Sequence, residues 1–266
     1  GGGSAGGYVD DVFSTYLYEG NDSARTIENG IDLAGDGGLV WIKGRSGSTG
    51  ILNWDTTMSP YNNLSTYNTD ALIDQTSPVG IASANADGFS LGNTNWSRIN
   101  ASGSTYASWT FRKAPKFFDV VTYTGDGVAG REIPHNLGIE PGMMIVKRLD
   151  SAQSWNVFHS TLGGTRFLEL ETSGQANPGT PWNNTDPTAS RFTVGGGVTV
   201  NADGAEYVAY LFAHDDSDES MIKCGSFIGT TNNEVDLGFE PQWVLIKAVD
   251  YIDDWYMFDT MRGWEA

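Results

Sequence analysis

Short apolar runs broken by Gly, Asn and Asp make up most of the chain. Gly38–Lys43, Met143–Lys147 and Gln242–Lys247 are such runs, and each ends in lysine. Tyr106–Phe111 and Tyr207–Phe212 carry aromatic residues at every-other spacing, Trp109 with Phe111 and Tyr210 with Phe212. That alternation predicts strands with one face buried. Asp87-Gly88, Asp126-Gly127, Gly195-Gly196-Gly197 and Asp203-Gly204 punctuate the runs as turns. No stretch of ten residues holds a clear 3.6 period, so the pattern predicts an all-β protein.

The same landmarks recur in one order. Gly20, Gly125 and Gly229 close a first strand and lie 105 and 104 residues apart. Lys43, Lys147 and Lys247 end the next apolar strands, 104 and 100 residues apart. Trp54-Asp55-Thr56, Phe158-His159-Ser160 and Phe258-Asp259-Thr260 keep those intervals, and Gly103–Tyr106 matches Gly204–Tyr207 at 101. A unit of about 100 residues suits a small β-sandwich better than a solenoid or propeller blade. The expected layout is tandem β-sandwich, jelly-roll-like repeats of about 104 residues. Residues 1–7 are a glycine-rich lead-in, 8–115 repeat 1 and 116–215 repeat 2. Residues 216–266 are an acidic linker and the first half of a truncated repeat 3, as in a piece of a longer protein. A half sandwich would expose its inner face until more chain or another chain covered it.

Charge narrows the partners. The 266 residues hold 15 Lys plus Arg against 33 Asp plus Glu, a net charge of −18. That excess repels phosphates, which argues against duplex nucleic acid and against an anionic membrane surface. No apolar run reaches the ~18 residues of a spanning helix. A single cysteine, Cys224, excludes an intrachain disulfide scaffold.

Candidate chemistry is sparse. His135, His159 and His214 sit in unrelated settings without metal-site spacing. No G-x-S-x-G elbow, phosphate-binding loop or dinucleotide fingerprint occurs. Asp215, Asp216, Asp218 and Glu219 form an acidic run of the oxygen-rich kind that Ca²⁺ prefers, although a solvated interdomain linker is the favoured account and the spacing does not match an EF-hand loop. Asp250, Asp253 and Asp254 are a weaker cluster. Trp41, Trp109, Trp155, Trp243 and Trp255 fall at strand positions and read as core. Trp96, Trp182 and Trp264 fall in Asn- and Gly-rich loops, where an indole can stack on a sugar ring. Glu140-Pro141-Gly142 and Glu240-Pro241-Gln242 read as turns that launch buried strands. Asn21, Asn63, Asn95, Asn100 and Asn183 match the glycosylation pattern, as expected in an Asn-, Ser- and Thr-rich chain.

One resemblance bears on function. The segment FFDVVTYTGDGVAGREIPHNLGIEPGMMIVKR followed by GAEYVAYLFAHD resembles a repeated domain of tail-fibre and other virion structural proteins of marine tailed phages, including cyanophages. The segment from DVFSTYLYEG through NASGSTYASWTFRKAPKFFDVVTYTG is similar to what precedes that domain in such proteins. The resemblance implies a non-enzymatic virion component, a tail-fibre segment on the particle exterior that supports host attachment. It also implies other tail proteins as partners and a homo-oligomer, a trimer being common in fibres. It carries over no catalytic or receptor-binding residue. Two rival readings remain: a carbohydrate-binding or depolymerising tail protein with a host-surface glycan as partner, and a secreted bacterial adhesin. None requires a cofactor other than the Ca²⁺ considered for the acidic run.

Overall fold

In the computed structural model, residues 7–47, 49–75 and 78–263 are described. Among the described residues, eighteen strands and two single 3-10 turns make an all-β protein, as the alternation predicts. Two compact units divide it. Unit 1 comprises residues 1–114 and 148–154, and unit 2 comprises 115–147 and 155–266.

Unit 1 is built from β1 (Phe13–Glu19), β2 (Arg25–Glu28), β3 (Gly38–Gly44), β4 (Leu52–Asp55), β5 (Leu64–Ser65), β6 (Ile81–Asn85), β7 (Gly88–Leu91) and β8 (Thr105–Arg112). One sheet runs β1-β8-β3-β4-β5 and the other β2-β7-β6, and these neighbours pair antiparallel. Both sheets feed one core: Tyr18, Val40, Ile42, Leu52, Trp54 and Tyr106 meet Ile27, Ile81, Phe89 and Leu91. This is a β-sandwich. Its nested order, β1 beside β8 and β2 beside β7, is jelly-roll-like; β4 departs from that winding by staying in the sheet of β3.

Unit 2 holds β9 (Phe118–Thr124), β10 (Arg131–Pro134), β11 (Pro141–Arg148, whose last residue lies in unit 1), β12 (Asn156–His159), β13 (Arg166–Glu169), β14 (Asn177–Pro178), β15 (Arg191–Val194) and β16 (Glu206–Ala213). The sheets run β14-β13-β12-β11-β16-β9 and β10-β15. Counted from its own first strand, this unit again places the first strand beside the eighth, the eighth beside the third, and the second beside the seventh. Tyr123, Met144, Val146, Phe158, Tyr207, Ala209 and Leu211 pack with Ile133, Phe192 and Val194 from the smaller sheet. A hairpin of β17 (Trp243–Lys247) and β18 (Trp255–Asp259) follows.

One corner is built the same way in each unit. The Tyr18 hydroxyl donates to the Ile99 carbonyl at 2.7 Å, and the Tyr123 hydroxyl to that of Val200 at 2.6 Å. Tyr18 stacks on Tyr106 with centroids 5.2 Å apart, and Tyr123 on Tyr207 at 5.1 Å. Tyr106 donates to the Ser97 carbonyl and accepts from the Ala101 amide, both at 2.9 Å. Tyr207 does the same with Val198 and Ala202, both at 2.8 Å. Gly20 and Gly125 close the corner because a Cβ on either would lie 2.2 or 2.0 Å from the carbonyl oxygen of Ala101 or Ala202. Burial, and then the neighbouring tyrosine, raises the hydroxyls of Tyr18 and Tyr123 well above the ordinary tyrosine range.

The aromatic alternation has a different meaning from the expected one. β8 and β16 are central strands, buried on both faces. Tyr106 and Tyr207 face the inter-sheet cores, whereas Trp109, Phe111, Tyr210 and Phe212 lie at positions of opposite parity. There Phe111 meets Phe13 and Trp41, with centroids 4.9 and 5.9 Å away, and Phe212 meets Phe118 at 4.9 Å. Trp41, Trp109 and Trp155 are buried as expected, while Trp243 and Trp255 are only half-buried.

Candidate functional site

The loops that carry the sequence candidates are fixed by local hydrogen bonds. The Trp96 carbonyl accepts from the amides of Ile99 and Asn100, at 3.0 and 2.9 Å, and the Trp96 amide donates to Thr94 Oγ1 at 3.0 Å. This turn leaves the indole half-buried against the unit 1 core. The Arg98 guanidinium lies over it at 5.1 Å and over the Tyr67 ring at 5.4 Å. Burial lowers the Arg98 pKa, partly offset by Tyr67. Arg98 reaches the Ile51 carbonyl at 3.4 Å, and its Nε–H is buried without an acceptor among the described residues. Tyr67, at 52% exposure, is the open aromatic of this stack. The sequence reading missed Tyr67 and Arg98, because only folding brings residue 67 beside 96 and 98.

Trp182 corrects an expectation. Its loop folds inward, and the indole is fully buried, edge-on to Phe158 at 5.9 Å, with no face free for a sugar ring. Its position in an Asn- and Gly-rich segment reflected the turns around it and not its own exposure. Trp264 lies outside the described residues. Asn63 and Asn100, two matches to the glycosylation pattern, are buried as well.

The acidic run also behaves differently from a cation site. Asp215 is buried, and its carboxylate accepts from the Ser217 amide at 3.0 Å and the Ser217 hydroxyl at 2.9 Å. That amide bond is the main reason its pKa falls below the usual carboxylate value. Asp216 turns to His214 Nε2 at 3.1 Å and to Lys223 Nζ at 3.4 Å, while Asp218 and Glu219 are exposed. Asp215 serves a turn and Asp216 an ion pair. Among the described residues no group of three His, Cys, Asp or Glu side chains could hold a metal ion.

The same corner contains a cysteine, a histidine and an aspartate. His214 Nδ1 accepts the Cys224 amide at 3.2 Å, so it is engaged by main chain and not by the thiol. Cys224 Sγ points to the Ala213 carbonyl at 3.6 Å, and burial pushes its pKa up to about 12. A nucleophilic cysteine needs a lowered pKa and a base facing sulfur. This arrangement provides neither.

Lysines lie at or next to the C-terminal ends of β3, β11 and β17. Lys43 Nζ donates to the Thr49 carbonyl at 2.5 Å, and Lys247 Nζ to those of Ala248 and Ser173 at 2.8 and 3.3 Å. Lys147 is fully buried, with Nζ 5.8 Å from the Trp155 ring centre. No helix among the described residues is long and apolar enough to cross a membrane.

Residues 9–265 match the family described as "Domain of unknown function (DUF7483)". No curated protein and no solved structure matches the chain.

Proposed function

The chain belongs to the DUF7483 family, and we propose that it is a non-enzymatic structural protein of a phage virion, a tail-fibre segment that supports host attachment. The observation that carries this reading is the tyrosine corner, made twice from residues 101 to 105 positions apart. It supports a tandem repeat of about 104 residues, the pattern expected of a protein that spaces and presents surfaces. The neutral Cys224 and the occupied His214 fit a structural role.

Homo-oligomerisation fits the third hairpin. Phe258 is 41% exposed, whereas Phe158 and Trp54, at matching positions, are 1% and 3% exposed. Further chain, or another subunit of a trimer, would cover that face. Immunogold labelling of the particle with antibody to this chain tests the proposal: label on the tail or another exterior appendage supports it. Absence from any virion rejects it and turns attention to the adhesin alternative.

A glycan-binding reading rests on the Tyr67–Arg98–Trp96 stack, which offers an open phenol beside a guanidinium. Glycan-array binding that Tyr67→Ala abolishes would support it; a blank array would remove it.

A further inference from the structure

Two hairpin tips are held by main-chain hydrogen bonds that no side-chain motif announces. The segment joining β11 to β12 belongs to unit 1. There the Leu72 amide donates to the Leu149 carbonyl at 2.8 Å, and the Gln153 amide donates to the Thr69 carbonyl at 2.9 Å. In unit 2 the tip joining β17 to β18 is held in the same way. The Ala176 amide donates to the Val249 carbonyl at 2.9 Å, and the Asp253 amide to the Ser173 carbonyl at 3.0 Å.

Donors and acceptors occupy matching positions in the two sets. Thr69 and Leu72 correspond to Ser173 and Ala176 at an interval of 104, and Leu149 and Gln153 to Val249 and Asp253 at 100. The receiving loops share their local form. The Asp70 amide donates to Asn68 Oδ1 and the Gly174 amide to Thr172 Oγ1, each at 3.2 Å. Asn63 bridges to Ile73, and Phe167 pairs with Asn177. All four residue identities differ between the sets, so what the two sites share is backbone geometry.

We infer that residues 69–72 and 173–176 form a docking edge whose partner is the tip of a β-hairpin from later in the chain. The tip it fits begins with an apolar residue followed by aspartate, Leu149-Asp150 or Val249-Asp250. Lys247 adds a charged contact to the second site, reaching the Ser173 carbonyl at 3.3 Å. The tip between β3 and β4 is of another kind. It carries Arg45-Ser46 at those positions, the Arg45 amide donates to the Thr105 carbonyl at 2.8 Å, and Thr49 accepts from Lys43 and Gly44. That tip closes on its own sheet. The latch needs only the paired geometry, so its test is independent of whether the protein belongs to a virion.

Amide hydrogen exchange on the intact chain decides it. The amides of Leu72, Gln153, Ala176 and Asp253 are expected to exchange slowly, although they lie outside strands. Ala176→Pro removes one donor and should speed exchange across Trp243–Lys247 and Trp255–Asp259 by about tenfold or more. Exchange in β9 and β16 should not change. Asp253→Pro, which removes the other donor, should do the same. Unprotected exchange at the four wild-type amides overturns the inference, as does an unchanged β17–β18 hairpin in both variants. If proline unfolds unit 2, the wild-type exchange pattern still decides.

Discussion

Replacing Asn100 or Asn201 by alanine should cost each unit about 2–3 kcal/mol, and the two costs should agree. Asn201 is fully buried; its Nδ2 donates to the Val128 carbonyl at 2.9 Å and to Asp126 Oδ1 at 3.0 Å, and its Oδ1 accepts from the Asp126 amide at 3.1 Å. Asn100 is also fully buried; it donates to the carbonyls of Ser23 and Thr94 at 2.7 and 3.2 Å, and accepts from the Asn21 amide at 3.2 Å. Each truncation removes three hydrogen bonds, worth roughly 0.5–1.5 kcal/mol apiece. Asn21 and Asp126 are exposed, so water takes over part of the loss and holds the total near the middle of that range. For a unit of this size, 2–3 kcal/mol lowers Tm by roughly 4–12 °C. Calorimetry with urea titration, on wild type and both variants, reads the effect. A cost below about 0.5 kcal/mol in either variant would show that its corner is not held by this residue. A large cost in one alone would break the equivalence of the two corners.

Three further outcomes are expected. His135 is held neutral: burial lowers its pKa despite the Thr188 carbonyl and Asp119, and Nδ1 accepts from the Leu137 amide at 3.2 Å while Nε2 donates to Thr188 at 3.0 Å. Its stabilisation is complete above the unfolded value of about 6.5 and is lost as pH falls from there towards the lower folded value. His159, lowered by burial and then by His214, acts in the same direction. The urea midpoint should therefore drop between pH 7.5 and 5.5, less steeply in His135→Gln; an equal slope would remove His135 from the account. Trp182→Phe should cost about 1 kcal/mol or less, because the indole Nε1 is buried without an acceptor among the described residues. Trp109→Ala should cost about 3–5 kcal/mol, and equal losses in the two variants would contradict the packing. Native Cys224, which is half-buried, should react with Ellman's reagent about a thousandfold more slowly at pH 8 than in urea, since a pKa of about 12 leaves little thiolate; fast native labelling would refute the raised pKa.

The strand content was legible because period-two patterning and Asp-Gly turns act locally. Tyr106–Phe111 is a strand whichever face turns inward. Which face meets the core depends on what lies beyond the sheet, and so Tyr106, with the less conspicuous spacing, reaches the core while Trp109 and Phe111 take the other face. Trp182 and Asp215 were misread for a related reason. Polar neighbours suggested exposed loops, but a turn can aim one side chain inward while its flanks stay wet. The buried asparagines were within reach, since Asn-Ala-x-Gly-x-x-Tyr occurs at 100–106 and again at 201–207. Backbone contacts such as Leu72 to Leu149 leave no residue signature, and composition could not have revealed them.

The uncovered hairpin ties the fold to the proposed assembly. β3 lies between β4 and β8, and β11 between β12 and β16, whereas among the described residues β17 pairs with β18 alone. An open strand edge exposes a row of amides and carbonyls that attracts a further strand. Beside that edge, Phe258 remains 41% exposed where its counterparts are buried. The strand that fills this place in both units is long and central, with a tyrosine facing the core, Tyr106 in β8 and Tyr207 in β16. A strand of that pattern, paired along Trp243–Lys247, would complete the ladder, while cover for the phenyl ring has to come from above the sheet, as Trp182 covers Phe158 in unit 2. That edge is left open to a further strand, whereas the tip beneath it is already latched to Ser173 and Ala176.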